Sequence, residues 1–194
     1  MKEILLTCLK KYLDIFPNEQ KRQQKLIDYL NTHSDDEICD WNNFDGHVVA
    51  GGFIYDINTQ KFLVLYHKDL EMFLYPGGHL DKNDLDPLFA SKREIKEETG
   101  LIDLIQLGID DDKMVPIDID THMIGYNSRL DLPEHYHFDF RYLFIVNGIE
   151  EIKMDTDELS SYEWIYIDKL KDDVNYGKVA NKIGRVISNS KLSR

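Results

Sequence analysis

The chain is 194 residues long, with 36 acidic against 23 basic side chains, a formal net charge of −13 at neutral pH and a hydrophobic share of 42%. This length holds one ordinary domain with at most a small appendage, and the hydrophobic share argues against disorder. The acidic balance repels a phosphate backbone and disfavours DNA as a partner; it admits a small phosphorylated ligand where divalent cations stand between the two anions, although charge alone favours the plainer reading that acidity keeps the protein soluble.

Ile4, Leu5, Cys8, Leu9, Tyr12, Leu13 and Phe16 recur at helical spacing, so a helix is expected over residues 2–16, ended by Pro17. Lys10 and Lys11 break that apolar run, which lacks the layout of a signal peptide. No run reaches the length of about 18 apolar residues that a membrane span needs. Two cysteines, Cys8 and Cys39, are too few for a disulfide framework and fit a cytoplasmic location. A second helix is expected over about residues 19–30, with Leu26, Ile27 and Leu30 on one face, then a polar loop over 31–45. Residues 1–42 thus read as a helical extension that must pack its apolar stripes on the rest of the chain. It suits a lid or a dimer contact, and monomer and homodimer both stay open.

The texture then changes. HVVAGGFIYD (47–56) reads as a strand whose Gly51-Gly52 marks a bulge or a close backbone approach. KFLVLYHK (61–68) reads as its hairpin partner. A short apolar piece, FLY, leads into a glycine loop, PGGHLDKND (76–84). Residues 87–99 are helical in pattern, with Asp86 as N-cap, Pro87 at the first position and Gly100 as the stop. Strands are expected around KMVPIDIDTHMI, HYHFDFRYLFIVN and YEWIYID, Asp110–Asp112 as a turn, and a last helix from about Val174 to Ser188. This order is α+β, a mixed sheet flanked by helices.

The segment from Gly77 to Leu101 carries the chemistry. Glu94, Glu97 and Glu98 stand at i, i+3 and i+4, three carboxylates on one helix face. Such crowding is relieved by a hard divalent cation, for which an all-oxygen site is suited. Arg93 can reach Glu97 one turn on and fix it. Leu88 and Ile95 turn to the core. The glycines upstream let backbone approach a ligand, and the absence of GKS or GKT excludes a P-loop.

This segment resembles the Nudix box, GX5EX7REUXEEXGU, with U a bulky aliphatic residue. Arg93, Glu94, Ile95, Glu97, Glu98, Gly100 and Leu101 match every defined position of its second half. In the first half, counted from Gly78, the family's first glutamate falls on Asp84, and Arg93 lies one residue late, which reads as an insertion near Leu85 and Asp86. GHVVAGGFIYD, YPGGHLD, DIDTHMI, HFDFRYLF and EWIYIDKL are also similar to Nudix sheet elements, so the resemblance spans about residues 44–172. It implies a Nudix-like α/β/α sandwich with a mixed β-sheet over residues 43–194, including the C-terminal helix, behind the 1–42 extension. It further implies hydrolysis of a phosphoanhydride bond in a small nucleoside diphosphate derivative. Mg²⁺ or Mn²⁺ would be held by Glu94, Glu97, Glu98 and the Gly78 backbone and oriented by Arg93. The base that takes the water's proton is left open among Glu98, Glu134 and Glu158.

His135, His137 and Asp139 alternate, so on a strand they share a face. Two histidines and a carboxylate could hold a transition metal, but lining the substrate pocket or structural hydrogen bonding weighs more. His47 and His79 could face the phosphates, with structural roles equally open, and His33 reads as solvated. Alternating Phe53, Tyr55, Phe138, Phe140, Tyr142 and Phe144 read mostly as core. Two other functions remain in view: a catalytically silent Nudix-fold module that senses a nucleotide, and a transition-metal enzyme on His135, His137 and Asp139. The intact glutamate set argues against the first, and metal content separates the second.

Overall fold

Strand β1, His47–Asp56, is buried at all ten of its positions. It is the centre of the molecule, described by a computed structural model over residues 1–109, 112–128, 131–148, 151–172 and 176–190. Asp110 and Asp111 of the expected turn, and Val174 at the expected start of the last helix, lie outside the described residues.

One edge of β1 pairs in parallel with β7 (His135–Val146), from His47 opposite His137 to Asp56 opposite Val146. Beyond β7 lie β6 (Asp118–Ile124) and β5 (Ile105–Leu107), both antiparallel to it. The other edge of β1 is shared. β2 (Lys61–His67) pairs with it only at Tyr55 and Asp56, beside the turn, and then runs on against β8 (Leu159–Tyr166) and β3 (Met72–Leu74). The expected hairpin is therefore confined to its base. The vacated edge is taken by β4, Gly77–His79, opposite Val49–Gly51. The glycine loop expected there is thus partly a strand. Glycine makes the approach possible, since a Cβ on Gly51 would lie 2.5 Å from the Pro76 carbonyl oxygen.

Between β4 and β5 runs α4, Pro87–Thr99, with the boundaries its sequence signals predict. The Asp86 side chain accepts a hydrogen bond from the Phe89 N–H at 2.7 Å, and Gly100 closes the helix in the left-handed region at φ 73°. Three N-terminal helices, α1 (Lys2–Ile15), α2 (Gln24–Thr32) and α3 (Asp35–Ile38), precede the sheet. A 3₁₀ turn at Pro17–Glu19 delays α2 relative to expectation. The short α3 interrupts the expected polar loop because Ser34 and Glu37 form a reciprocal capping box, which buries Ile38.

Two apolar layers result. Leu5, Leu9, Leu26 and Leu30 join Ala90 and Ile95 of α4 in one cluster over Val48, Ala50, Phe138, Phe140 and Phe144. On the opposite face Phe53, Tyr55, Leu143 and Ile145 lie under Leu170 of α5 (Ile167–Lys171) and Val179, Ala180 and Ile183 of α6 (Gly177–Asn189). The architecture is a mixed sheet between helices, α+β, an open Nudix-like sandwich. Among the described residues no helix is long and apolar enough to cross a membrane.

Candidate active site

Arg93 projects from the middle of α4 and binds four groups at once. Its Nε and Nη2 donate to the two oxygens of Asp84 at 3.0 and 2.9 Å, and Nη2 also donates to the His79 carbonyl at 2.9 Å. Nη1 donates to Glu94 Oε1 at 2.8 Å and to Glu97 Oε2 at 3.1 Å. A planar guanidinium is the one side chain that spans so many acceptors. Asp84, the shorter acid at the position of the family's glutamate, therefore anchors Arg93 through a paired contact, and its burial favours that geometry.

Glu98 lies on the same face, and its Oε2 accepts the Gly77 N–H at 2.8 Å. Burial pushes its carboxyl up to about 8, against the Gly77 hydrogen bond and helped by the nearby charges of Glu94, Glu158 and Asp155. Glu94 is also raised, by burial first, although Arg93 opposes the shift. It packs on Gly78, where a Cβ would come within 2.6 Å of its carboxyl group, so only glycine leaves room for it. Each of the three glutamates commits one oxygen to Arg93 or Gly77, and among the described residues no hydrogen bond engages the other. Their oxygens are not drawn to one point: the tight three-ligand group among the described residues is His47, His79 and His137. Even so, the oxygen donors, the close approach of Glu94 to the Gly78 backbone and the raised Glu94 and Glu98 suit a hard divalent cation, which would relieve the repulsion among these acids.

Glu158 stands beside this cluster because the Asp155 N–H bonds to the Glu98 carbonyl and the Lys68 N–H to the Glu158 carbonyl. Glu134 is exposed and precedes His135 at the start of β7. A cleft of about 550 Å³ opens next to Arg93 and Glu94, lined also by Trp41, His79, Leu80 and Lys82. Trp41, 53% exposed, comes from the N-terminal extension, and no spacing pattern singles it out.

The histidines form a second group, on the sheet face opposite α4. β1, β4 and β7 bring His47, His79, His135 and His137 together, with Nε2 atoms 3.0 Å apart for His47–His137 and His47–His79 and 3.2 Å for His135–His137. Burial, then neighbouring imidazoles, hold His47 down to about 3 and His137 to about 2; His79 is also lowered, by burial first. Asp139, on the same face, turns away to Tyr75 and to Arg141 Nε at 3.0 Å. Beyond it lies an ionic network that sequence reading missed. Arg141 donates to Asp118 at 3.3 Å and Asp120 at 2.9 Å, and Asp118 also accepts from Arg22 at 3.1 Å and Lys182 at 2.7 Å. Alternation of Asp118, Asp120 and His122 opposite Arg141, Asp139 and His137 was its only signal, and it is visible only once β6 is paired with β7.

The NUDIX domain family model matches residues 45–183. A probable DHNTP pyrophosphohydrolase from Lactococcus lactis subsp. cremoris (strain MG1363) is 28% identical over 143 residues, 74% of this chain and 78% of that protein. Among solved structures, a Caenorhabditis elegans Ap4A hydrolase binary complex has 18% identity and a TM-score of 0.57, covering 74% of this chain and 98% of that one. A NUDIX family hydrolase from Clostridium perfringens has 24% identity and a TM-score of 0.54 over the same shares. The dihydroneopterin triphosphate pyrophosphohydrolase of Escherichia coli has 16% identity and a TM-score of 0.52, covering 73% of this chain and 95% of that one. These structures share its fold, and with the match over residues 45–183 the chain belongs to the NUDIX domain family, as a Nudix-type hydrolase.

Proposed function

We propose that this chain hydrolyses a phosphoanhydride bond in a small nucleoside diphosphate derivative, by water attack at phosphorus, with Mg²⁺ or Mn²⁺ as cofactor. The observation that carries the reading is the α4 face, where Glu94, Glu97 and Glu98 stand together and Arg93 holds two of them. Glu94, Glu97, Glu98 and the Gly78 backbone are the metal-holding set. The bound cation would screen the diphosphate and lower the pKa of water.

Arg93 keeps Glu94 and Glu97 in place and ties them to Asp84 and β4. Glu98, fixed at one oxygen by Gly77, and Glu158 beside it are the two carboxylates placed to accept the water's proton. A substrate held at α4 meets His79 in the adjoining cleft, and through it the face that carries His47, His135, His137 and Asp139, the expected substrate-contacting side. The acidic surface, the location in the cytoplasm and the lack of a DNA partner belong to the same reading.

A panel of nucleotide derivatives tests it, with phosphate release measured after phosphatase coupling in Mg²⁺ and in Mn²⁺. The names of the relatives make dihydroneopterin triphosphate and Ap4A the first compounds to include. Turnover should need the cation and fall by roughly 100-fold or more in a Glu97→Gln, Glu98→Gln double variant. Wild-type turnover in that variant overturns the assignment.

A further inference from the structure

The imidazoles of His47, His79 and His137 bring a ligand nitrogen each within 4.8 Å of one another, with His79 at the solvent side, and His135 Nε2 adjoins the group through His137 at 3.2 Å. Nδ1 of His135 donates to the Pro133 carbonyl at 2.8 Å, and Nδ1 of His47 faces the Asn43 carbonyl at 3.4 Å. A carbonyl only accepts, so the ring proton of each lies on Nδ1 and each Nε2 presents a lone pair. Backbone carbonyls behind the ring are the usual means of orienting a histidine toward a metal.

A proton count points the same way. The three short Nε2 contacts, His47–His137, His47–His79 and His135–His137, have only His79 and His137 left to supply a proton. Two protons cannot give three contacts a hydrogen bond each. A cation among His47, His79 and His137 uses their lone pairs and frees His137 from the shared contacts. Nitrogens around tetrahedral zinc lie about 3.3 Å apart, given metal–nitrogen distances of about 2.0–2.1 Å. His47 lies 3.0 Å from both His137 and His79, and the three ligand nitrogens lie within 4.8 Å of one another, so small side-chain shifts bring them to that spacing.

We propose that His47, His79 and His137 form a second metal site, with His135 beside them, for a divalent transition metal of which Zn²⁺ is the first choice, separate from the oxygen donors of α4. All-imidazole donation selects Zn²⁺, Ni²⁺ or Cu²⁺ over Mg²⁺, so the two sites sort cations by ligand chemistry. Asp139 is not a member, because Tyr75 and Arg141 hold its carboxylate.

The full-length chain, stripped with chelator, is titrated calorimetrically with Zn²⁺ in millimolar Mg²⁺. One equivalent should bind. Affinity should fall by roughly 100-fold or more in a His47→Gln, His137→Gln variant and stay unchanged in a Glu94→Gln, Glu98→Gln variant. Zinc-edge X-ray absorption of the wild-type chain should show an imidazole-nitrogen shell, which keeps the test decisive if the histidine variant does not fold. No Zn²⁺ binding above Mg²⁺, loss of binding in the glutamate variant alone, or an oxygen-only shell overturns the proposal. Binding and absorption are read without turnover, so the result is independent of the hydrolytic reading.

Discussion

Glu98 carries the clearest electrostatic conflict in the molecule. It is a half-buried carboxylate with Glu94, Glu158 and Asp155 as neighbours, and among the described residues the Gly77 N–H is its hydrogen-bond donor. Its folded-state pKa of about 8 lies above the unfolded value of about 4.3 for glutamate. Between these values the folded chain binds more protons than the unfolded one, so stability is greatest below about pH 4 for this group and falls as pH rises through about 8. In chelator, the melting temperature of the wild-type chain should therefore drop between pH 6 and pH 8 by more than that of Glu98→Gln, roughly several degrees. Mg²⁺ should restore part of the loss at the higher pH in the wild type and not in the variant. Parallel wild-type and variant curves would remove the electrostatic role given to Glu98. Arg93 sits on the other side of the same balance: Asp84 first, then Glu94, raise its pKa against partial burial, so it stays charged and fixed throughout this range.

The elements differ in how openly the sequence announces them. Helix α4 was legible in full because Asp86, Pro87 and Gly100 mark its ends, and helical spacing alone puts three glutamates on one face. Strand β4 was hidden because Gly-Gly-His has no side-chain pattern, and pairing with β1 creates it. Three-residue β5 was too short to show a period. The histidine group was legible only in part: alternation puts His135 and His137 on one face, but His47, His79 and His137 come from three strands, and register across strands is a tertiary property. The same holds for Asp118 on β6, where Arg22, Arg141 and Lys182 meet from three distant parts of the chain. Its carboxyl is lowered by these partners, against the effect of burial. Removing one member of a buried ion network leaves the others uncompensated, a loss of about 3–5 kcal/mol. Asp118→Asn should show that loss in urea unfolding. A change under about 1 kcal/mol would mean that the three cations gain nothing from Asp118 beyond surface pairing.

At the scale of the whole molecule, the match to the NUDIX domain family starts at residue 45, yet the apolar layer over β1 and β7 is built on both sides of that boundary. Leu26, Tyr29 and Leu30 of α2 are buried, and the Tyr29 hydroxyl donates to the Gly46 carbonyl at 2.6 Å. The Tyr29 ring also packs on Phe138 of β7, with centroids 4.5 Å apart. Because the layer is continuous, the extension and the sheet should unfold together. Leu30, with 0% exposure, is the probe. Leu30→Ala leaves a cavity at the junction and should cost about 2–5 kcal/mol. The midpoint should fall in one step, with near-UV and far-UV signals coincident. A separate extension would behave otherwise, losing helical signal in an early transition while the sheet kept its wild-type midpoint. Two transitions would assign residues 1–42 to an appendage that rests on the sheet. One transition makes them part of the packing that holds β1, and with it His47 and the strand opposite Gly77–His79, in place.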